Sequence, residues 1–371
     1  MSDADLQALL RQVLWAGFGL GAVFGAIAQR THFCTMGAVA DIVNIGDWTR
    51  MRMWALAIGV AMLGFNAMVA LGLVRAANSV YAAPELLWLS HILGGLMFGF
   101  GMVLASGCGS KTLVRIGAGN LKAVVVFCVL GIAAFMTMKG VTAVWRVATV
   151  DTVQWLIPGG QDLPSIVAKW LGSTAERTAL WLGLLVGGGL VAWALARREG
   201  RSADALLGGL GIGAVVVAGW WVSGQMGHFA EHPQTLDEAF IATSSRRMES
   251  FSFVAPFAYT LDWLMLFSDK SKALTLGIVI TLGLIVGSGV VALASGSFRW
   301  EGFRGVEDTA NHLVGAALMG VGGILALGCT VGQGLSGLST LSLGSFIAVA
   351  GIVGGAVLAL RWQVWRIERS V

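Results

Sequence analysis

Residues 91–108 read HILGGLMFGFGMVLASGC, and residues 312–329 read HLVGAALMGVGGILALGC. In both stretches the cysteine follows the histidine by seventeen residues, and glycine recurs at the third, eighth, tenth and sixteenth positions after the histidine. The two copies are offset by 221 residues. A cysteine placed twice at the end of the same apolar segment predicts a duplicated protein whose centre is lined by sulfur.

The composition is that of a polytopic membrane protein. Of the 371 residues, 56% are hydrophobic and only 12% are charged, which is about half the charge of a soluble domain. The 53 glycines suit close helix–helix approach in lipid. The 24 Lys and Arg residues mostly flank apolar runs, so no basic cluster predicts nucleic-acid binding. The lipid bilayer is the expected surrounding.

We predict nine transmembrane helices in an all-α fold, because each apolar run is long enough to cross a bilayer. After residue 313 no charged residue occurs until 361, and a Gly-rich interruption at 328–337 predicts a re-entrant half-helix there. The predicted spans are at about 13–29, 53–74, 86–106, 120–138, 178–196, 205–222, 273–296, 309–327 and 341–360.

The repeat and the span count together predict the domain organisation. Spans one to four match spans six to nine, so the shift of five is odd and the halves should cross the membrane in opposite directions, as in many transporters. We expect a first membrane repeat at 1–139, a connecting loop with an extra helix at 140–203, and a second repeat at 204–371. The Lys and Arg distribution predicts the N-terminus outside and the C-terminus in the cytoplasm.

Three cysteines have similar sequence surroundings. Each follows an apolar span and precedes a short stretch that could form a half-helix; they are Cys34, Cys108 and Cys329. A thiol there would lie beside a half-helix N-terminus, which favours an anion. The alternative is that each cysteine is a small hydrophobe in tight packing. Cys128 lies mid-helix without a motif, and the 221-residue offset matches Cys34 to Ala255.

Other polar residues allow two readings each. His91 and His312 favour capping or interhelical hydrogen bonds over a metal site, because no acidic or CxxC partner has a useful spacing. Lys111 and Arg115 would share one face of the half-helix after Cys108, either attracting a doubly charged anion or anchoring the helix on the cytoplasmic side. Carboxylates are nearly absent from the spans, which argues against a carboxylate-based sodium or proton site.

Three motifs together resemble the YeeE/YedE family of sulfur-transport membrane proteins. They are Arg30-Thr31-His32-Phe33-Cys34, Ser106-Gly107-Cys108-Gly109-Ser110, and the Gly-rich run from Gly328-Cys329 through Gln333 to Gly337. Their order and spacing cover nearly the whole chain. The pathway residues expected from them are Cys34, Cys108, Cys329, Gly107, Gly109, Gly328, Gln333 and Lys111.

This resemblance implies an hourglass-like importer of the bacterial inner membrane that needs no cofactor and is not an enzyme. It further implies that thiosulfate passes between the three thiols by S–H hydrogen bonds, with Cys108 as the middle station. A small cytosolic sulfur carrier of the TusA group is the implied partner. Because a thiolate would repel the ion, we predict that the thiols stay protonated at neutral pH.

Two alternatives remain open from the sequence. A thiol-lined path would accept soft anionic atoms generally, so another sulfur or selenium species is a second candidate cargo. A membrane sulfurtransferase that forms a cysteine persulfide is a third candidate, although it needs an activated thiolate.

Overall fold

The protein is described by a computed structural model over residues 3–232, 236–269 and 271–369. Helices dominate it, and their bounds are α1 Asp3–Thr31, α2 Thr35–Ile45, α3 Thr49–Ala70, α4 Trp88–Leu104, α5 Gly109–Gly117, α6 Leu121–Lys139, α7 Val141–Ala148, α8 Leu163–Leu171, α9 Ala175–Leu182, α10 Gly188–Leu195, α11 Ala203–Leu206, α12 Ile212–Trp221, α13 Val254–Met265, α14 Leu276–Ala294, α15 Val306–Leu325 and α16 Leu343–Glu368.

Shorter elements connect or interrupt these helices. Four π-helical segments lie at Gly183–Gly187, Leu207–Gly211, Val222–Met226 and Gly332–Gly337, and 3₁₀ turns lie at Ala76–Asn78, Val150–Thr152 and Arg198–Arg201 within the described ranges. Two small antiparallel ribbons pair β1 Glu85–Leu86 with β2 Trp155–Leu156, and β3 His228–Phe229 with β4 Ala239–Phe240.

The chain is an all-α polytopic membrane protein, as predicted. In the described part of the chain, eight helical stretches are long and apolar enough to cross a bilayer: Ala4–Ile45, Thr49–Ala70, Trp88–Gly117, Leu121–Lys139, Ala175–Leu195, Ala203–Met226, Leu276–Ala294 and Leu343–Glu368. The span predicted at 309–327 is α15, which has 20 residues. Its mean hydropathy is lower because its first two turns contain Glu307, Asp308, Asn311 and His312.

Each half of the chain repeats one order of elements: a long helix, a half-helix, two long helices, a second half-helix and a last long helix. The first half follows it through α1, α2, α3, α4, α5 and α6. The second half follows it through 203–226, α13, α14, α15, a helical segment at 330–339 and α16. The stretch 175–195 stands between the halves.

Glycines on α4 and α15 define how the halves are related. A Cβ atom added to Gly94 would lie 2.6 Å from the carbonyl oxygen of Gly322, and one added to Gly101 would lie 2.6 Å from that of Gly315. The reverse additions give the same two distances. The helices therefore cross antiparallel with their backbones in contact. Since Gly315 and Gly322 are the repeat mates of Gly94 and Gly101, the repeats are inverted.

The outer helix pairs follow the same pseudo-twofold relation. On α1, Gly21 and Gly25 face Ile280 and Leu284 of α14, so these two helices run parallel. In the other half, Gly209 faces Leu56 of α3 and Gly213 faces the backbone of Ala57. Small residues at these positions allow the backbone contact that holds helices together in lipid.

Aromatic rings fill the space between the half-helices. Phe24 stacks on Phe251 at a centroid distance of 5.2 Å and meets Phe253 edge-on at 5.8 Å. Phe33 stacks on Trp54 at 5.7 Å. All five side chains are buried. This packing fixes the half-helix N-termini against the long helices.

The connection after α6 is fastened to the start of α16. Its Asp162 caps α8 by accepting from Ser165 N–H at 3.0 Å, and its Gln161 accepts from Gly344 N–H at 3.1 Å. Ser342 donates to the Tyr81 carbonyl at 2.9 Å. The connection therefore covers the end of the molecule where α15 ends and α16 begins.

Candidate functional site

Each of the three predicted thiols occupies the N-cap of a half-helix. Cys34 precedes α2, Cys108 precedes α5, and Cys329 precedes the segment 330–339. All three side chains are buried and free of disulfides. The sequence prediction that each thiol lies beside a half-helix agrees with this geometry. Free N–H groups at these N-termini are a favourable environment for an anion.

The same left-handed turn precedes all three thiols. Two residues before each cysteine stand His32, Ser106 and Leu327, with φ values of 53°, 55° and 55°. The residue after each of these donates its N–H to the carbonyl five residues earlier, which ends the spanning helix. Gly107 N–H, for example, donates to the Met102 carbonyl at 2.8 Å. Non-glycine residues at such φ values cost about 1–2 kcal/mol. The three residue types differ, so this shared turn could not be predicted from the sequence.

The fourth equivalent position is Phe253 rather than Ala255. The half-helix α13 begins at Val254, so Phe253 occupies the N-cap place that Cys34 holds in the first half. The 221-residue offset fails here because the connections before the two half-helices differ in length. The ring of Phe253 is fully buried. Three thiols and one aromatic ring thus occupy the four half-helix N-caps.

The buried thiols form a series through the centre. The Cys108 thiol lies within hydrogen-bonding reach of the Cys34 thiol and of the Thr330 hydroxyl, and it is 3.3 Å from the Ser110 hydroxyl. Thr330 directly follows Cys329, whose thiol completes the series. Tertiary packing therefore brings together the three cysteines that the sequence motifs singled out.

Backbone N–H groups bond to two of the sulfurs. Gly37 N–H donates to the Cys34 sulfur at 3.4 Å, and Gly332 N–H donates to the Cys329 sulfur at 3.3 Å. A sulfur that accepts from the backbone keeps its own S–H available as a weak donor. Both thiols can therefore donate toward a bound anion without breaking their cap bonds.

The predicted glycines surround the thiols closely. A Cβ on Gly107 would meet the Lys111 side chain at 3.2 Å, and one on Gly328 would meet the Gln333 side chain at 3.2 Å. Gly109 begins α5 and lies 3.5 Å, by the same measure, from Phe253. Larger residues at Gly107 and Gly328 would require the Lys111 or Gln333 side chain to shift, whereas a Cβ at Gly109 would make an ordinary contact.

Two buried polar atoms beside Cys329 lack a well-formed hydrogen bond within the described residues: the Thr330 hydroxyl and the Gln333 side-chain oxygen. The Gln333 amide nitrogen donates to the Ala326 carbonyl, which anchors it to the end of α15. The two residues are 2% and 1% exposed, so water contributes little to satisfying them. Unsatisfied buried groups are costly, and the Thr330 hydroxyl remains free to serve a passing ligand.

A cavity of about 370 Å³ reaches Cys34 from one end of the α4–α15 pair. Lys111, Arg115 and Arg50 line it together with His32 and Ser106. Arg50 is paired with Asp41 at 2.8 Å. Lys111 and Arg115 form no ion pair with any acid that the structure describes. The predicted shared face of Lys111 and Arg115 therefore supplies uncompensated positive charge beside the thiols.

A second cavity, of about 130 Å³, approaches from the opposite end. Leu327 of the turn before Cys329 lines it, as do Tyr81 and Ser252. Between the two cavities Cys108, Thr330 and Cys329 are almost completely buried. The two cavities are thus separated by a buried centre whose polar groups include the thiols, the Thr330 and Ser110 hydroxyls and the Gln333 amide. We name them the Cys34-side and the Cys329-side cavity.

The remaining candidates lie outside this series. Cys128 is half-buried in the middle of α6. His91 and His312 have equivalent bonds, from ring Nδ1 to the carbonyls of Leu87 and Asp308 at 2.5 Å and 2.7 Å. Both histidines therefore fasten a helix start, in agreement with the predicted hydrogen-bonding role. Over the described ranges no group of three or more His, Cys, Asp or Glu could hold a metal.

Comparison with known proteins identifies the family. The family model described as sulphur transport matches residues 30–358, which include all three thiols. The chain belongs to the sulphur transport family. This confirms the YeeE/YedE resemblance and makes the protein a transporter rather than an enzyme.

Relatives within the sulphur transport family cover nearly the whole chain. The thiosulfate transporter TsuA of Spirochaeta thermophila is 25% identical over 95% of this chain and 100% of its own length. The thiosulfate transporter TsuA of Escherichia coli is 26% identical over 95% of both chains. The probable transporter YedE of Salmonella typhimurium is 30% identical over only 28% of this chain and 24% of its own.

Proposed function

We propose that this chain imports thiosulfate along a path formed by Cys34, Cys108 and Cys329. The observation that carries the proposal is the placement of three buried thiols between two opposed cavities, with Cys108 next to Cys34 on one side and to Thr330 on the other. Relatives named thiosulfate transporters over 95% of the chain support the cargo. The anion enters beside Cys329, passes Thr330 and Cys108, and leaves beside Cys34.

The chemistry of the donors suits rapid passage. A dianion cannot enter hydrocarbon alone, but helix N-termini and neutral donors can replace its hydration water. The S–H group is a weak donor, and conduction requires that each station release what it binds. Neutral thiols also avoid the repulsion that a thiolate would exert. The cap glycines Gly107, Gly109 and Gly328 and the anchor Gln333 hold the stations in place.

The charge distribution distinguishes the two ends of the path. Lys111 and Arg115, which have no ion-pair partner among the described residues, line the exit at the Cys34-side cavity and would lower the energy of the dianion there. We place this face in the cytoplasm and the protein in the bacterial inner membrane, with the N-terminus periplasmic. A TusA-like sulfur carrier would remove thiosulfate at this exit. The division into repeats at 1–139 and 204–371, joined by 140–203, belongs to the same proposal.

Growth on thiosulfate as sole sulfur source tests the cargo. A bacterial strain without its own uptake systems should grow when it expresses the intact chain and should fail with Cys34→Ala or Cys329→Ala. Membrane levels of each variant must match. Failure of the well-inserted intact chain to support growth or labelled uptake would rule out thiosulfate as the cargo.

Mass spectrometry of the purified protein separates transport from sulfur transfer. After exposure to thiosulfate, we expect all three cysteines to keep their unmodified mass, because passage by hydrogen bonding forms no S–S bond. A persulfide on Cys108 that forms at the rate of uptake would contradict the proposed mechanism.

Thr330 should contribute to the path although no motif assigned it. Thr330→Val keeps the shape of the side chain and removes the buried hydroxyl, so labelled thiosulfate uptake should fall several-fold. Thr330→Ser keeps the hydroxyl and should retain most of the rate. Equal rates in both variants would show that the hydroxyl takes no part in transport.

A further inference from the structure

The polar part of the lining of the Cys329-side cavity consists of neutral hydroxyl groups and one carboxyl group, and the rest of the lining is apolar. The hydroxyls belong to Tyr81, Ser244, Ser245, Ser250, Ser252 and Tyr259, and the carboxyl belongs to Glu249. Ser244, Ser245 and Ser250 donate their hydroxyls to other acceptors. The O–H donors of Tyr81, Ser252 and Tyr259 suit an oxyanion. A carboxylate among them does not, since it can only accept hydrogen bonds while it is ionised.

Glu249 is held in the cavity wall by its backbone. Its N–H donates to the Ser223 hydroxyl at 3.2 Å, at the end of the helical stretch 203–226. Its carboxyl oxygens accept from the Ser244 N–H at 3.3 Å and from the Ser245 hydroxyl at 2.8 Å. These bonds fix the carboxyl group beside the space that an entering ligand would occupy.

The charge of Glu249 has no cationic partner in the part of the chain that the structure describes. Among the described residues, no Lys, Arg or His forms an ion pair with it. The titratable groups that face it are Tyr81 from the connection before α4 and Tyr259 from α13. The start of α14 and the turn before Cys329 contribute Gly277 and Leu327, which do not titrate.

The two basic residues nearest to Glu249 in sequence do not compensate its charge. Arg246 and Arg247 lie on the same segment as Glu249 but are exposed to solvent, and neither pairs with it. Burial raises the pKa of the Glu249 carboxyl, although Ser244 and Ser245 act against this shift. The pKa of this carboxyl is therefore raised from that of a solvent-exposed glutamate.

We propose that Glu249 admits a dianion to the Cys329-side cavity only when it carries a proton. The proposal rests on the proposed transport of thiosulfate and adds its control by pH. Each Glu249 carboxylate takes up one proton from the water on the side of the membrane to which the Cys329-side cavity opens. Protonation removes a like charge and converts an acceptor into an O–H donor. Uptake should therefore accelerate as the pH on this side falls.

Proteoliposomes that take up labelled thiosulfate test this control. With the internal pH constant, lowering the external pH from about 8 to about 6 should raise the initial rate of the intact chain at least about fivefold. Glu249→Gln, which is always neutral, should show no such dependence and should match or exceed the intact rate at pH 8. The control Glu231→Gln, an exposed acid on the same connection, should keep the intact profile.

The outcomes separate this inference from the proposed function. Uptake with the intact pH profile in Glu249→Gln, or loss of uptake at every pH in a well-inserted Glu249→Gln protein, would overturn the role of Glu249 alone. Binding of labelled thiosulfate in detergent provides the second measurement. If nothing is transported but binding tightens at low pH in the intact chain and not in Glu249→Gln, the transport function fails and the role of Glu249 stands. Absence of both uptake and pH-dependent binding overturns both.

Discussion

Cys108→Ala should reduce the rate of labelled thiosulfate uptake at least about tenfold, and by as much as about a hundredfold or slightly more. Cys108 is the only thiol of the three that contacts another thiol of the path on one side and Thr330 on the other. Removing a donor to a charged group costs about 1.5–3 kcal/mol. The loss falls at the driest point of the path, where no water can replace the missing S–H.

Cys128→Ala is the matched control, because that cysteine lies in α6 outside the thiol series. Its uptake should equal that of the intact chain. Uptake by Cys108→Ala at more than half the intact rate, with equal protein in the membrane, would contradict a central role for this thiol. Cys108→Ser tests whether transport needs only a hydrogen-bond donor or needs the sulfur atom. The serine hydroxyl also donates, but it holds the anion more tightly than S–H does.

Gly322→Val should remove most of the folded protein from the membrane. A Cβ at Gly322 would lie 2.6 Å from the Gly94 carbonyl oxygen and 2.6 Å from the Phe98 nitrogen. These are backbone atoms, which cannot rotate away. Overpacking commonly costs 1–3 kcal/mol, and we expect the upper part of that range, about 3 kcal/mol or more. The amount of monodisperse protein in detergent and its thermal midpoint measure the effect.

The lipid-facing Gly19 of α1 provides the control. A Cβ there would meet no atom within 4 Å, so Gly19→Val should keep the yield and the midpoint of the intact chain. If Gly322→Val matched Gly19→Val in both measurements, the close contact between α4 and α15 would not be essential to the fold.

Part of the site was predictable because it depends on local spacing. Lys111 and Arg115 are four residues apart on α5, and a helix brings such residues to one face; both line the Cys34-side cavity. Cys108 and Cys329 were found because the repeat preserves their place at the end of a spanning helix. Thr330 lies within the Gly-rich motif that begins at Gly328, but nothing in the sequence assigns a role to its hydroxyl.

Other parts of the site left no trace in the sequence. Glu249 stands in a long connection without a motif, and only the packing of Tyr81, Tyr259 and Leu327 around it makes the connection a cavity wall. The left-handed turns at His32, Ser106 and Leu327 contain no glycine at that position. The 221-residue offset predicts Ala255 as the equivalent of Cys34, but the structure places Phe253 there. A repeat offset measured on one helix pair therefore does not hold beyond a connection of different length.

The sequence by itself determined the membrane, the spans and the duplication, because hydropathy and residue spacing act within single helices. It also determined which cysteines precede half-helices. Tertiary structure alone decided that Cys34 and Cys108 are neighbours, that one cavity ends at Cys34 and another at the turn before Cys329, and that a single carboxyl group lines the second cavity. Those relations depend on contacts between glycine backbones on helices that are far apart in the chain. The packing of α4 against α15 is the main such contact.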